Sequence, residues 1–145
     1  MRTRLKEMIG NLEEKGRLGE ERNYLQHGST TVYEHSVHVA LASIFLAEWL
    51  HIRVDGPSLL RGALLHDYFL YDWHDPCPGH RLHGFTHPKT ALQNASRDFN
   101  LTEIEKNIIA RHMFPLTLVP PTCREAWIVC LADKYCALQE TIFRS

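Results

Sequence analysis

The chain has 145 residues, and its 16 Lys and Arg against 17 Asp and Glu give a formal net charge of −1 with histidine neutral. That balance argues against general nucleic-acid binding, which calls for a basic excess. No apolar run is long enough for a membrane-spanning helix, and the first 22 residues read as a charged helix rather than a signal peptide. A chain of this length buries roughly 70% of the surface its unfolded form exposes, enough to fold without a disulfide or metal staple. The expectation is one cytoplasmic domain over 1–145, with an N-terminal helix and turn over 1–29 and a helical core over 30–140.

The periodicity is helical nearly throughout, with no segment that alternates as a strand does. The first predicted helix covers about 2–18, with Leu5, Met8, Ile9 and Leu12 on one stripe and Gly16 and Gly19 at its end. His27 to Thr31 offers a turn and N-cap for a long second helix, about 32–51, with Glu34 in its first turn. Asp55-Gly56-Pro57 interrupts the chain, and Pro57 or Ser58 opens a third helix running to His66-Asp67. Tyr68 to Thr86, rich in Pro, Gly, His and aromatics, reads as a long ordered loop. Pro88 is placed at the first turn of a helix ending near Phe99, and Thr102 with Glu105 makes a capping box for a helix ending near His112. Thr122 with Glu125 makes a second box for a last helix, about 123–140. The fold class is therefore all-α, a compact bundle of five or six helices.

Four cysteines (Cys77, Cys123, Cys130 and Cys136) lack metal-type spacing and read as reduced thiols. Ten histidines, scattered from His27 to His112, are the unusual number. His35 lies on the apolar stripe of the second helix. His66 and Asp67 end an almost wholly apolar run, His87 adjoins Pro88, His112 closes the face of Ile104, Ile108 and Ile109, and Asp133 continues the run Ile128 to Ala132, which would otherwise be core. One histidine on an apolar face is ordinarily a hydrogen-bonded core residue. A buried aspartate needs a cation, and Lys134 beside Asp133 points about 100° away on the helix. A divalent cation accounts for all six residues together, since imidazole and carboxylate are its usual ligands.

The ordered set Tyr-Glu-His-Ser-Val-His-Val-Ala (33–40), Ala-Leu-Leu-His-Asp (63–67), Phe-Thr-His-Pro (85–88), Ile-Ala-Arg-His-Met-Phe-Pro (109–115) and Leu-Ala-Asp-Lys (131–134) resembles the HD-domain superfamily of metal-dependent phosphohydrolases. The resemblance implies that His35, His66, Asp67 and Asp133 bind one ion, and that Asp67 bridges to a second held by His87 and His112. It implies one or two divalent ions, drawn from Mn, Fe, Co, Ni, Zn or Mg, and a small phosphorylated substrate whose attacking water Asp67 orients and deprotonates. Many family enzymes carry a lysine three positions after the His-Asp pair, where this chain has Leu70. Lys89 and Arg111 are candidate phosphate-binding substitutes, and His83 and His80 candidate rim residues; solvated surface charge is the alternative for the first two. Asp72 and His74 read as a pair pinning the loop, His27 as a pocket residue or a turn cap. Tyr68, Trp73 and Phe85 read as base- or sugar-stacking rings or as satellite core. Two further functions fit the same ligands: a di-iron oxygenase of the same fold, and a non-catalytic metal-binding regulatory domain. A homo-oligomer built on the amphipathic first helix is a further expectation.

Overall fold

In the computed structural model the described residues are 2–27, 29–70 and 83–143, with the side chains of Arg2, His27, His83, Phe85 and Phe143 outside the description. The helices are α1 (Arg2–Lys15), α2 (Val32–Trp49), α3 (Gly56–Leu65), α4 (His83–Asp98), α5 (Glu103–Arg111) and α6 (Arg124–Phe143). The all-α expectation holds, with additions between α1 and α2. A 3-10 helix, Leu18–Asn23, continues the chain after Gly16, and β1 (Leu25–His27) pairs antiparallel with β2 (Thr30–Thr31). Strands of three and two residues are too short to show alternation, which is why the sequence reading found none.

Local chemistry sets the helix starts. Thr31 caps α2 through Glu34 in a full capping box, Asp55 accepts from the Ser58 N–H at the start of α3, and Thr102 with Glu105 caps α5 as expected. The box expected at Thr122 and Glu125 does not form. The Thr122 hydroxyl accepts from Asn107 (2.8 Å), Glu125 accepts the Asp55 N–H (2.8 Å), and α6 starts at Arg124. Tertiary partners outcompete the local pair there. The helix containing Pro88 also differs, because α4 begins at His83 and holds the proline inside it. Proline's preference for the first turn placed that start too late; His87 sits in the second turn of α4 rather than ahead of the helix.

The helices meet around a core of Leu12, Leu18, Val39, Leu59, Leu64, Ile108 and Val129. α2 packs on α3 and α6, and α5 packs on α3, α4 and α6. The α3–α5 approach depends on Gly62, where a Cβ would lie 2.4 Å from Ile108 Cδ1 and 3.1 Å from its Cβ. The chelate between Arg61 and Glu105 (2.9 and 2.7 Å) ties the same two helices. Gly16, just past α1, packs against the Phe99 ring, where a Cβ would come within 2.2 Å of Cζ. Beside it Asp98 accepts from Arg17 (2.8 and 3.2 Å) and from the Tyr68 hydroxyl (2.6 Å).

Tyr68 and Phe69 are buried in the turn after α3, and Asn94 of α4 donates to both their carbonyls (3.1 and 3.0 Å). Tyr68 is therefore core and has no face for a base or sugar. The irregular segment narrows accordingly: its start is this packed turn and its end, from His83, is helix. Asp72, Trp73, His74, Cys77 and His80 lie outside the described residues. Cys123, Cys130 and Cys136 are free thiols. Among the described residues no helix is long and apolar enough to cross a membrane.

Candidate metal centre

Five helices deliver the side chains of one buried cluster. α2 carries His35 in its first turn; α3 ends at Leu65, so that His66 is its C-cap and Asp67 follows. α4 carries His87, α5 has His112 as its C-cap, and α6 carries Asp133 at mid-length. All six residues are buried, Asp133 at 8% exposure being the most accessible. The ligand atoms of His35, His66, Asp67 and Asp133 all lie within 4.8 Å of one another, and so do those of Asp67, His87 and His112. Either group could hold a metal ion, and Asp67 belongs to both.

Ring orientation is fixed from behind. His66 Nδ1 lies 2.6 Å from the Ala63 carbonyl and His112 Nδ1 lies 2.8 Å from the Ile109 carbonyl. Each carbonyl stands in the last turn of its helix, and a carbonyl can only accept. Nδ1 must therefore carry the hydrogen, which leaves Nε2 of the neutral ring with a lone pair facing the cluster. His35 is held by Glu140, whose carboxylate oxygens lie 2.8 and 3.1 Å from its Nδ1. Its Nε2 then faces Asp133 Oδ1 (2.8 Å) and Asp67 Oδ2 (3.6 Å). His66 Nε2 faces the same two oxygens at 3.2 Å each.

On the other side His87 Nε2 and His112 Nε2 face each other at 2.8 Å, with Asp67 Oδ1 at 3.1 and 3.3 Å from them. That oxygen is buried without a well-directed hydrogen bond, while Gln26 Nε2 donates to the other oxygen, Oδ2, at 2.6 Å. Two imidazole nitrogens and a buried carboxylate oxygen crowded this closely form a donor set that a shared proton or a metal ion can bridge. The donor set fits a divalent ion.

The electrostatics agree. Burial favours neutral Asp67, but His66, His112 and His87 hold its pKa well below the usual range. Asp133 is likewise depressed against burial, by His66 and His35. Burial also opposes the charge on His35, yet Asp133 and Glu140 raise its pKa to about 9. Burial lowers His112 below the ordinary imidazole value, which keeps its ring neutral.

Between residues 32 and 138 the chain matches the HD domain family. It belongs to that family. No curated protein and no solved structure matches it. In this HD domain the six residues singled out from the sequence do converge, and the groups beside Asp133 are His35 and His66 rather than Lys134. Lys134 instead donates to the His112 carbonyl (3.1 Å), tying α6 to the end of α5. Lys89 is exposed on α4, two residues past His87, and Arg111 donates to the Pro120 carbonyl at 3.1 Å. The His83 side chain and all of His80 lie outside the described residues. Leu70 packs against the core with φ of 58°, so no cation stands at that position.

The sequence reading missed two residues. Glu140 carried a signal: it falls seven residues after Asp133, two turns along the same face, where the pattern calls for an apolar residue. Gln26 carried none, because only the β1–β2 hairpin brings it to Asp67.

Proposed function

We propose that this HD domain is a metal-dependent phosphohydrolase that cleaves a small phosphoester, with a nucleotide as the leading substrate class. In this reading His35, His66, Asp67 and Asp133 hold one divalent ion, and Asp67, His87 and His112 hold a second. The observation that carries it is the position of Asp67, whose Oδ2 faces the first group and whose Oδ1 lies between His87 and His112. Bound divalent ions supply a water that is ionised near neutral pH and a positive clamp for the phosphoryl oxygens.

The chain's own groups do the rest. Asp67 orients the attacking water and accepts its proton, and Gln26 keeps the carboxylate from rotating by holding Oδ2. Glu140 and the Ala63 and Ile109 carbonyls fix the rings of His35, His66 and His112, so no reorganisation is needed on binding. Burial excludes bulk water and strengthens each charge interaction within the cluster. Lys89 and Arg111 are proposed to bind the phosphate oxygens in place of the lysine that Leu70 replaces, with His83 and His80 at the rim.

The test is turnover of a phosphoester panel, nucleoside monophosphates included, with Mn²⁺ or Co²⁺. Asp67→Ala should lose roughly 100-fold or more of the activity, the scale of a lost acid–base group, with unchanged helix content. Full activity in that variant would remove Asp67 from the mechanism. Hydrolysis needs no oxidant, so product formed only with oxygen consumption would instead mark an oxygenase.

A further inference from the structure

The helices α2 and α6 are apolar on both sides. Their inward faces fill the core, while their outward faces carry Phe45 and Trp49 on α2 and Trp127, Leu131, Tyr135 and Leu138 on α6. Phe45 is 65% exposed, Trp49 68%, and Tyr135 and Leu138 60% each. The α6 residues follow the four-four-three spacing of one helical stripe. A helix that is apolar all round is ordinarily covered all round.

The two stripes adjoin. The helices run antiparallel: His35, near the start of α2, lies against Asp133 and Glu140, while the Asp55 N–H just beyond α2 meets Glu125 in the first turn of α6. His38, seven residues before Phe45 on the same stripe, faces Glu140 across the seam at 3.2 Å. The outward stripe of α2 therefore borders α6. At about 150–250 Å² per aromatic side chain, and somewhat less for leucine, the exposed fractions of the six residues amount to roughly 700 Å². That exceeds the few hundred Å² of a typical monomer patch and approaches the ≈ 800 Å² per partner of a standard interface.

We propose that this face joins two copies of the chain about a two-fold axis, α2 of one lying over α6 of the other. The area is one argument for a second copy, and the charges beside the patch are another. Exposed Glu48 stands on α2 and exposed Arg124 on α6, so the crossed arrangement sets opposite charges against each other. The apolar stripe of α1, which the sequence offered as the oligomer surface, is not available: Leu5 and Leu12 are buried in the chain's own core.

The test is the mass of the full chain by light scattering and sedimentation equilibrium from about 1 to about 100 µM, a span over which a standard-size interface is read. The wild type should show twice the chain mass. Phe45→Glu with Leu131→Glu buries two carboxylates in the seam and should weaken association at least about 100-fold, leaving monomer with unchanged helix content. Trp49→Lys with Leu138→Lys tests the same face if the first pair perturbs folding. A wild type that stays monomeric at the highest concentration overturns the proposal. A dimer that survives either folded double variant overturns it equally.

Discussion

Glu140 offers the sharpest test of how the centre is supported from behind. Its carboxylate lies 2.8 and 3.1 Å from His35 Nδ1 and 3.2 Å from His38 Nδ1, and it is 2% exposed. Removing it leaves His35 free to change tautomer and to rotate, so that Nε2 no longer faces Asp133. Loss of such a supporting carboxylate typically lowers metal affinity about 10–100-fold, or about 1.4–2.7 kcal/mol. Glu140→Ala should therefore bind Mn²⁺ or Zn²⁺ in that range more weakly by competition titration. Glu140→Gln keeps an acceptor and should lose less. The neighbouring Gln139→Ala, on the exposed side of α6, should bind as the wild type does. A Glu140→Ala chain that folds and binds metal with wild-type affinity would show that Glu140 does not support His35.

Three further outcomes follow from the same geometry. Gly62→Val places a branched side chain against Ile108 and should cost about 1–3 kcal/mol in chemical denaturation. It should also weaken metal binding, because the α3–α5 contact sets the separation of His66 from His112; an unchanged denaturation midpoint would contradict the packing. His112→Ala should reduce the bound metal from about two ions per chain to one, since only one group loses a ligand; an unchanged count would exclude His112 as a ligand. Asp98→Asn should lose about 1.5 kcal/mol at pH 7, the low end for hydrogen bonds to a charged group because Arg17 is partly screened by solvent. Despite burial, Arg17 and Tyr68 depress the folded-state pKa of Asp98. Its stabilisation is thus complete above the ordinary carboxylate pKa and fades as pH falls through the depressed one. A wild-type minus variant difference that stayed constant from pH 7 into strong acid, across the fading, would contradict that assignment.

The site was legible because burying polar groups is expensive and therefore patterned. His66 and His112 stand at the C-terminal ends of apolar helices, and Asp133 interrupts a run that would otherwise be core. Chain order and type alone brought these together with His35 and His87. What escaped was decided by long-range packing. Gln26 reaches Asp67 only through a hairpin of two very short strands, and Thr122 and Glu125 find partners on other elements that outbid a local cap. Pro88 misled because its first-turn preference is statistical, and α4 starts at His83 with the proline inside the helix. Glu140 lies between the two cases, because it breaks the apolar face as Asp133 does. The sequence reading stopped two turns short of it.

Metal content decides whether the six side chains form a metal centre. Chain purified without chelator, equilibrated with Mn, Fe, Co, Ni, Zn or Mg and freed of loose ions, would be analysed by element beside Asp67→Ala. The wild-type chain should hold one to two ions tightly and the variant almost none, because Asp67 belongs to both donor groups. A wild-type chain that retains none of these ions, or a variant that retains them all, would contradict that expectation.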